Sequence, residues 1–210
     1  TAWEGAQHAD ALFAWDRDHV YFASDHGRVY VSVDAGVTWT SQSSALTASG
    51  ARALNSVWFS DYDNGFAAGS LDTLIRTLDG GTTWAAITTY PTTADNITAL
   101  WVKSKFELLV GSNAGQLFHS LNAGVTWTSV SYSGQAATDT VNGLSFANDK
   151  VGYMIVNTTL NVGSVHLTIN GGITWSKLTT PTNAGLNAVF AIDENLCYAC
   201  GNASAGTGVV

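Results

Sequence analysis

The chain is poor in charge. Only 11% of its 210 residues are Asp, Glu, Lys or Arg, against roughly 25% in an ordinary soluble domain. Basic residues are scarcest: eight Lys and Arg stand against sixteen Asp and Glu, for a formal net charge of −8. No basic stripe can be assembled from so few cations, which excludes a nucleic-acid groove and an electrostatic grip on an anionic membrane. No apolar run approaches the ~20 residues that cross a bilayer as a helix, so membrane insertion is not expected. No charged-then-apolar leader is visible, although a leader already removed leaves no trace. There are two prolines and no linker-like block, so residues 1–210 read as a single domain, either whole or as a piece of a longer repeat array. With charge this sparse, hydration must come from Ser, Thr, Asn and backbone. That balance is common in virion, secreted and cell-surface proteins, and a virion or extracellular setting is expected.

What the chain does have is a phrase repeated four times: 32–39 (SVDAGVTW), 77–84 (TLDGGTTW), 120–127 (SLNAGVTW) and 168–175 (TINGGITW). The pattern is Ser/Thr, any, Asp/Asn, any, Gly, any, Thr, Trp. Its residues are Ser32, Asp34, Gly36, Thr38 and Trp39; Thr77, Asp79, Gly81, Thr83 and Trp84; Ser120, Asn122, Gly124, Thr126 and Trp127; Thr168, Asn170, Gly172, Thr174 and Trp175. The closing tryptophans are 45, 43 and 48 residues apart, the length of one four-stranded propeller blade. Each phrase predicts a tight hairpin. Asp or Asn bonds backbone amides inside the turn, Ser or Thr does so more weakly, and Gly takes the φ > 0 position. Trp then opens the next strand and seals one blade on another.

Short apolar runs between the phrases predict the other strands, and no long 3.6-residue periodicity occurs. First strands are expected at 11–15, 54–59, 97–102, 141–146 and 186–190. Second strands are expected at 20–23, 65–68, 107–110, 152–156 and 196–200, and third strands at 28–31, 73–76, 116–119 and 164–167. The expected fold is all-β: a propeller of about five four-stranded blades. Its ring is expected to close where the N-terminal strand at Trp3 joins the C-terminal segment 206–210 in one shared blade, leaving no sheet edge. Trp15, Trp58 and Trp101 are aligned at the ends of first strands with Phe146 and Phe190. His119 and His166 are aligned in one slot that Tyr30 also fills.

The phrase resembles the Asp-box, or BNR repeat, of sialidases, other glycoside hydrolases, sortilin-type receptors and Ycf48-like photosystem assembly factors. The second unit, 57–69 followed by its box, is nearest the Ycf48-like style. Asn122 and Asn170 depart from the Asp of the family pattern but can form the same turn bonds. The resemblance implies a propeller whose boxes are structural, and fold alone does not carry function. A sialidase would need three clustered arginines, a Tyr–Glu pair and an acid-base Asp. Here Arg17, Arg28, Arg52 and Arg76 all fall in the first two units, so they cannot converge from around a ring.

Other chemistry is weighed residue by residue. Asp16, Asp18, Asp61, Asp63, Asp149, Asp193 and Glu194 fall in turns between first and second strands. Two of them could serve a glycosidase only at about 5–9 Å separation, and turn formation is the simpler role. The segment 61–65 (DYDNG) opens like a calcium loop but has Asp72, not Glu, at the twelfth position, so a β-turn is expected. Cys197 and Cys200 form Cys-x-x-Cys within an apolar strand. Residues three apart in a strand point to opposite faces, and no second pair exists, so buried thiols rather than a metal or disulfide are expected. No Gly-x-Ser-x-Gly elbow or phosphate-cradling loop occurs.

The reading is a protein that is not an enzyme and carries no cofactor or metal. It is a structural or interaction module with protein partners or a surface glycan, in a virion decoration or attachment protein, a secreted or cell-surface domain, or a Ycf48-like assembly factor. It could be repeated within a larger symmetric assembly. The competing class is a glycoside hydrolase. The candidate binding face is the set of first-to-second-strand turns: Asp16, Asp18 and His19; Asp61, Tyr62 and Asp63; Lys103 and Phe106; Asp149; Asp193 and Glu194. Tyr62 and Phe106 are its aromatic anchors.

Overall fold

The computed structural model describes residues 9–42, 52–91, 95–178 and 184–202. All their regular structure is β, in five antiparallel meanders. The first holds β1 (Ala9–Ala14), β2 (Val20–Ser24), β3 (Val29–Ser32) and β4 (Thr40–Ser41). The second holds β5 (Leu54–Phe59), β6 (Gly65–Gly69), β7 (Leu74–Thr77) and β8 (Ala85–Ala86). The third holds β9 (Ile97–Val102), β10 (Leu108–Ser112), β11 (Leu117–Ser120) and β12 (Thr128–Ser129). The fourth holds β13 (Thr140–Phe146), β14 (Gly152–Asn157), β15 (Gly163–Thr168) and β16 (Ser176–Lys177). The fifth has β17 (Leu186–Ala191) and β18 (Cys197–Gly201). First strands β1, β5, β9, β13 and β17 pack on one another in succession, while two-residue fourth strands form the opposite edge of each of the first four sheets. This is a propeller of about five blades. The expected closure through Trp3 and 206–210 lies outside the described residues.

Each sheet-to-sheet junction has its own core. Tyr21, Phe59, Ile75 and Trp84 fill the first; Phe66, Leu74, Tyr90 and Phe118 the second; Leu109, Val141, Met154 and Trp175 the third; Tyr153, Ile155, Val165 and Leu186 the fourth. Each large apolar side chain so buried stabilises by ~1.5–3 kcal/mol. A second device ties sheets together. In every sheet the register between first and second strand slips near the start of the first strand. In the three middle sheets the residue at the slip bonds a carbonyl at the start of the next first strand. Asn55 Nδ2 donates to Ile97 O at 2.7 Å, Thr98 Oγ1 to Val141 O at 2.6 Å, and Asn142 Nδ2 to Leu186 O at 3.0 Å. A bulge exposes a side chain sideways, and here it clasps the neighbouring blade.

Strand pairing corrects two alignments. Phe13, Trp58, Trp101, Ser145 and Phe190 share one register, each opposite the second residue of its partner's apolar run. Trp15 belongs instead with Ser60, Lys103, Ala147 and Ile192, whose amides open the following turn. Phe146 belongs with Phe59. Likewise His119 and His166 do not share a slot. His166 matches Tyr30 and Phe118, each facing a fourth strand, whereas His119 matches Val31, one residue further on. The two histidines therefore lie on opposite faces of their sheets.

Candidate functional site

The first-to-second-strand turns and the repeated hairpins occupy the same end of the fold, because both join strands of a meander in the same sense. They are hydrogen-bonded to each other. The amides of Ala35, Gly80, Ala123 and Gly171, at the fourth position of each phrase, donate to the carbonyls of Asp18, Asp63, Phe106 and Lys150 at 2.7–3.1 Å. These four residues have φ between 58° and 73°, and the glycines that follow, Gly36, Gly81, Gly124 and Gly172, have φ between 82° and 90°. Two successive left-handed residues define a type I′ turn.

Side chains hold that turn in one pattern. In the second hairpin Thr77 Oγ1 accepts the Gly81 amide at 2.8 Å and donates to Asp79 Oδ1 at 2.8 Å. Asp79 Oδ1 also accepts the Thr83 amide at 2.8 Å, and Thr83 Oγ1 donates to Asp79 Oδ2 at 2.6 Å. Ser32, Asp34, Gly36 and Thr38 repeat this set. In the third and fourth hairpins the last bond reverses: Asn122 Nδ2 and Asn170 Nδ2 donate to Thr126 and Thr174 Oγ1 at 2.8 Å, beside Ser120–Gly124 and Thr168–Gly172 contacts of 2.9 Å. Trp39 and Trp175 donate their indole N–H to the carbonyls of Gly36 and Gly172 at 3.0 Å, while the indole nitrogens of Trp84 and Trp127 are buried without a bond. The hydroxyls and amides of Thr38 and Thr83 hold the Asp34 and Asp79 carboxyls below the usual carboxylate range.

The turns also repeat in construction. Asp16, Asp61, Ser104 and Asn148 sit second in their turns and each accepts the amides of the fourth and fifth residues at 2.7–3.2 Å. Asp193 accepts the Asn195 amide at 2.8 Å. Asp16, Asp61 and Asp193 are therefore turn-formers. The third position is the tip: Arg17, Tyr62, Lys105, Asp149 and Glu194. Arg17 and Lys105 belong to the turns expected on this face, and the turn register makes them its tips.

Two tips bond the capping residue of the preceding turn. The Tyr62 hydroxyl donates to Asp16 of the first turn, whose carboxylate oxygens lie 2.9 Å from His19 Nδ1. Tyr62 also packs edge-on against Trp15 and His19, with ring centroids 5.2 Å away in each case. The Tyr62 bond keeps the Asp16 carboxyl far below its ordinary value and pushes the phenol up to about 12. Asn148 Nδ2 donates to Glu194 Oε1 at 2.8 Å. Lys105 Nζ stands over the Phe106 ring, 5.2 Å from its centroid. Lys103 is withdrawn from the tips and lines a cleft of about 920 Å³ between the third and fourth sheets, with Glu107, His119, Leu121, Asp149, Lys150, Ile169 and Ile173. Glu107 lies 3.2 Å from Lys103 Nζ and 3.1 Å from His119 Nε2.

Among the described residues no group of three or more His, Cys, Asp or Glu is placed to hold a metal ion. The 61–65 segment is an Asp-capped turn. One thiol corrects the expectation of two buried ones: Cys197 packs into the fourth junction, whereas Cys200, on the opposite face, is exposed. No helix of the described residues is long and apolar enough to cross a membrane.

The sequence model of the family described as photosynthesis system II assembly factor YCF48 matches residues 48–190. No curated protein sequence matches the chain significantly. Among solved structures, an ancestral GH74 enzyme aligns with a TM-score of 0.72 at 20% identity, over 92% of this chain and 27% of its own. A structure described as YCF48 bound to D1 peptide aligns at 0.68 and 18% identity, over 87% of this chain and 58% of its own. YCF48 from Cyanidioschyzon merolae aligns at 0.68 and 15% identity, over 97% and 70%. At these identities the structural likeness speaks for the propeller fold alone. The family match spans more than half of the chain: it belongs to the photosynthesis system II assembly factor YCF48 family.

Proposed function

We propose that this YCF48-family propeller is a non-catalytic Asp-box protein that binds an extended segment of a partner protein on its turn face. One observation carries the reading. The acids at the turns' second position are committed as backbone caps, while the tips above them differ in chemistry from blade to blade: cation, phenol, cation, carboxylate, carboxylate. Variable side chains on a fixed backbone make a recognition surface, and Asp16, Asp61 and Asp193 are occupied in holding turns. The arginines, none beyond Arg76, all fall in the first two units, which supports a reading without the three-arginine clamp of a sialidase. A structurally similar YCF48 is described as bound to a peptide, which supports a peptide as ligand class here. Composition alone supports the setting: charge this sparse suits a domain displayed on a virion or outside a cell.

The test is binding of an immobilised panel of 15-residue peptides of varied charge and hydrophobicity, read by interferometry, alongside a glycan array and a hydrolysis assay on β-linked polysaccharides. Peptide binding that Tyr62→Ala, Lys105→Ala or Glu194→Ala weakens, with the melting temperature unchanged, supports the reading. Turnover of any polysaccharide overturns it, as does glycan binding without peptide binding.

A further inference from the structure

Along the first strands, both ends of the succession of sheets are uncovered. In the first sheet Phe13 of β1 and Tyr21 of β2 stand opposite each other. Both meet Phe59 of the second sheet, with ring centroids 5.7 and 4.0 Å away. The fifth sheet carries the same kind of pair in the same register, Phe190 opposite Tyr198, but these are 64% and 56% exposed. Ile192 and Leu196, 50% and 43% exposed, extend the patch toward the turn. At the other end, Leu12 of β1 holds the position of Val57, Leu100 and Leu144, which pack into the junction with the preceding sheet. Those three are at most 9% exposed, whereas Leu12 is 66% exposed. With both surfaces open in one molecule, β17 does not lie on β1.

A contiguous apolar patch of this kind marks a contact surface. A strand added beside β18 would widen the fifth sheet and leave its face open, since a face is covered only by a second sheet stacked about 10 Å away. Among the described sheets, the one first strand left without a preceding neighbour is β1. Charge agrees. Where neighbouring turns touch, the tip of the later turn bonds the cap of the earlier one, Tyr62 with Asp16 and Glu194 with Asn148. Continued past the fifth turn, that rule sets Arg17, the first tip, against Asp193, the fifth cap. Neither has an ion pair among the described residues. We propose that a second copy of this chain docks here, the β17–β18 face of one molecule packing on β1 of the next. The contact repeats the junction made four times within the chain. It is heterologous, so it propagates head to tail unless it closes a ring, and it is independent of the peptide-binding reading.

The experiment is sedimentation velocity on the 210-residue chain from low to high micromolar concentration, where monomer is expected to give way to dimer and longer oligomers. Phe190→Glu and Leu12→Glu change exposed side chains, and each is expected to weaken association roughly tenfold or more through lost apolar burial. Mixed in equal amounts, the two variants are expected to form a dimer and nothing larger, through the one intact surface that each retains. Misfolding or unspecific adhesion cannot produce that result. Arg17→Asp mixed with Asp193→Lys should associate more tightly than either variant alone. Cys200, exposed on the Phe190 side of the sheet, should be alkylated rapidly in dilute protein and several-fold more slowly where oligomers form. A chain that stays monomeric throughout overturns the proposal, as does association that survives both glutamate variants. Loss with Phe190→Glu but not with Leu12→Glu would mean that two β17–β18 faces meet each other, and a dilute monomer with Cys200 protected would mean that the chain covers this face itself; either result overturns it.

Discussion

The clearest energetic test of the repeated hairpin is Asp79. Its carboxylate takes three bonds, from the Thr83 amide, the Thr83 hydroxyl and the Thr77 hydroxyl. The Thr83 groups are exposed, and water replaces most of what they lose. Thr77 is 2% exposed, so its hydroxyl loses an acceptor that water cannot supply, a loss of ~1–3 kcal/mol. Asp79→Ala is therefore expected to destabilise by about 2 kcal/mol, comparable to removing a capping Asp. That corresponds to a fall of about 4–8 °C in melting temperature for a domain of this size. Asp79→Asn recreates the arrangement seen at Asn122 and Asn170, where Oδ1 keeps its role and Nδ2 donates to the threonine. It is expected to cost less than ~0.5 kcal/mol at pH 7. Both variants part from the parent in acid. The Thr83 and Thr77 bonds hold the Asp79 carboxyl below its unfolded value, so the unfolded chain binds the extra proton. The contribution is fully present above about pH 4–5 and is lost as pH falls through the folded value. Urea unfolding followed by tryptophan fluorescence at pH 7 and pH 3 decides the matter. An Asn variant as unstable at pH 7 as the Ala variant, or one whose acid loss matches that of the parent, refutes the side-chain account of the hairpin.

Four further outcomes are expected. Asn55→Ala leaves the carbonyl of buried Ile97 without its 2.7 Å donor and should cost ~1–3 kcal/mol in urea unfolding; no loss would mean the bulge clasp holds nothing. Tyr62 should ionise near pH 12 in the folded protein, and Asp16→Asn should bring its ultraviolet titration back toward 10; an unchanged midpoint would deny the Asp16 bond. His166 is 1% exposed with an unpaired Nδ1, and burial, with Lys177 nearby, pushes it down to about 4. A depressed histidine binds its proton in the unfolded chain first, so stability should fall by about 2–3 kcal/mol from pH 6.5 to 4. His166→Phe, copying Phe118 beside Tyr90, should remove that slope, and a slope left intact refutes the assignment. Cys200 should react with Ellman's reagent in the folded protein and Cys197 only on unfolding; a 197–200 disulfide found by mass spectrometry would contradict their placement on opposite faces.

The blades were readable in the sequence because a type I′ turn constrains residue identity at several positions at once. It needs Gly at φ near 90° and an oxygen-bearing side chain at two fixed offsets, so the phrase 77–84 survives four times nearly unchanged. The bulge clasp asks only for a small polar side chain, met by Asn55, Thr98 and Asn142, and so leaves no visible motif. The misplacement of Trp15 has a similar origin. Aromatic spacing marks where large rings fall, but in a strand one residue decides the face, and Trp15 lies just past the strand in the turn. The same one-residue distinction separates His119, beside Glu107 at the cleft, from His166, sealed against Tyr132.

That register also changes how the repeated hairpins relate to recognition. Read along the chain, the hairpins and the first-to-second-strand turns are some fifteen residues apart and look independent. In space, the hairpin amide of each of the first four sheets is bonded to the carbonyl one residue beyond the turn tip. The tip is thus held from below by its own capping side chain and from the side by the hairpin. Neither constraint involves the tip's side chain, so Arg17, Tyr62, Lys105 and Asp149 can differ without altering the backbone that carries them. The hairpin is therefore more than a rim seal: it fixes the geometry in which variable residues are displayed. Asp79→Ala should then loosen the second tip, weakening Tyr62-dependent peptide binding by more than the protein's remaining folded fraction explains. Asp79→Asn should leave that binding intact.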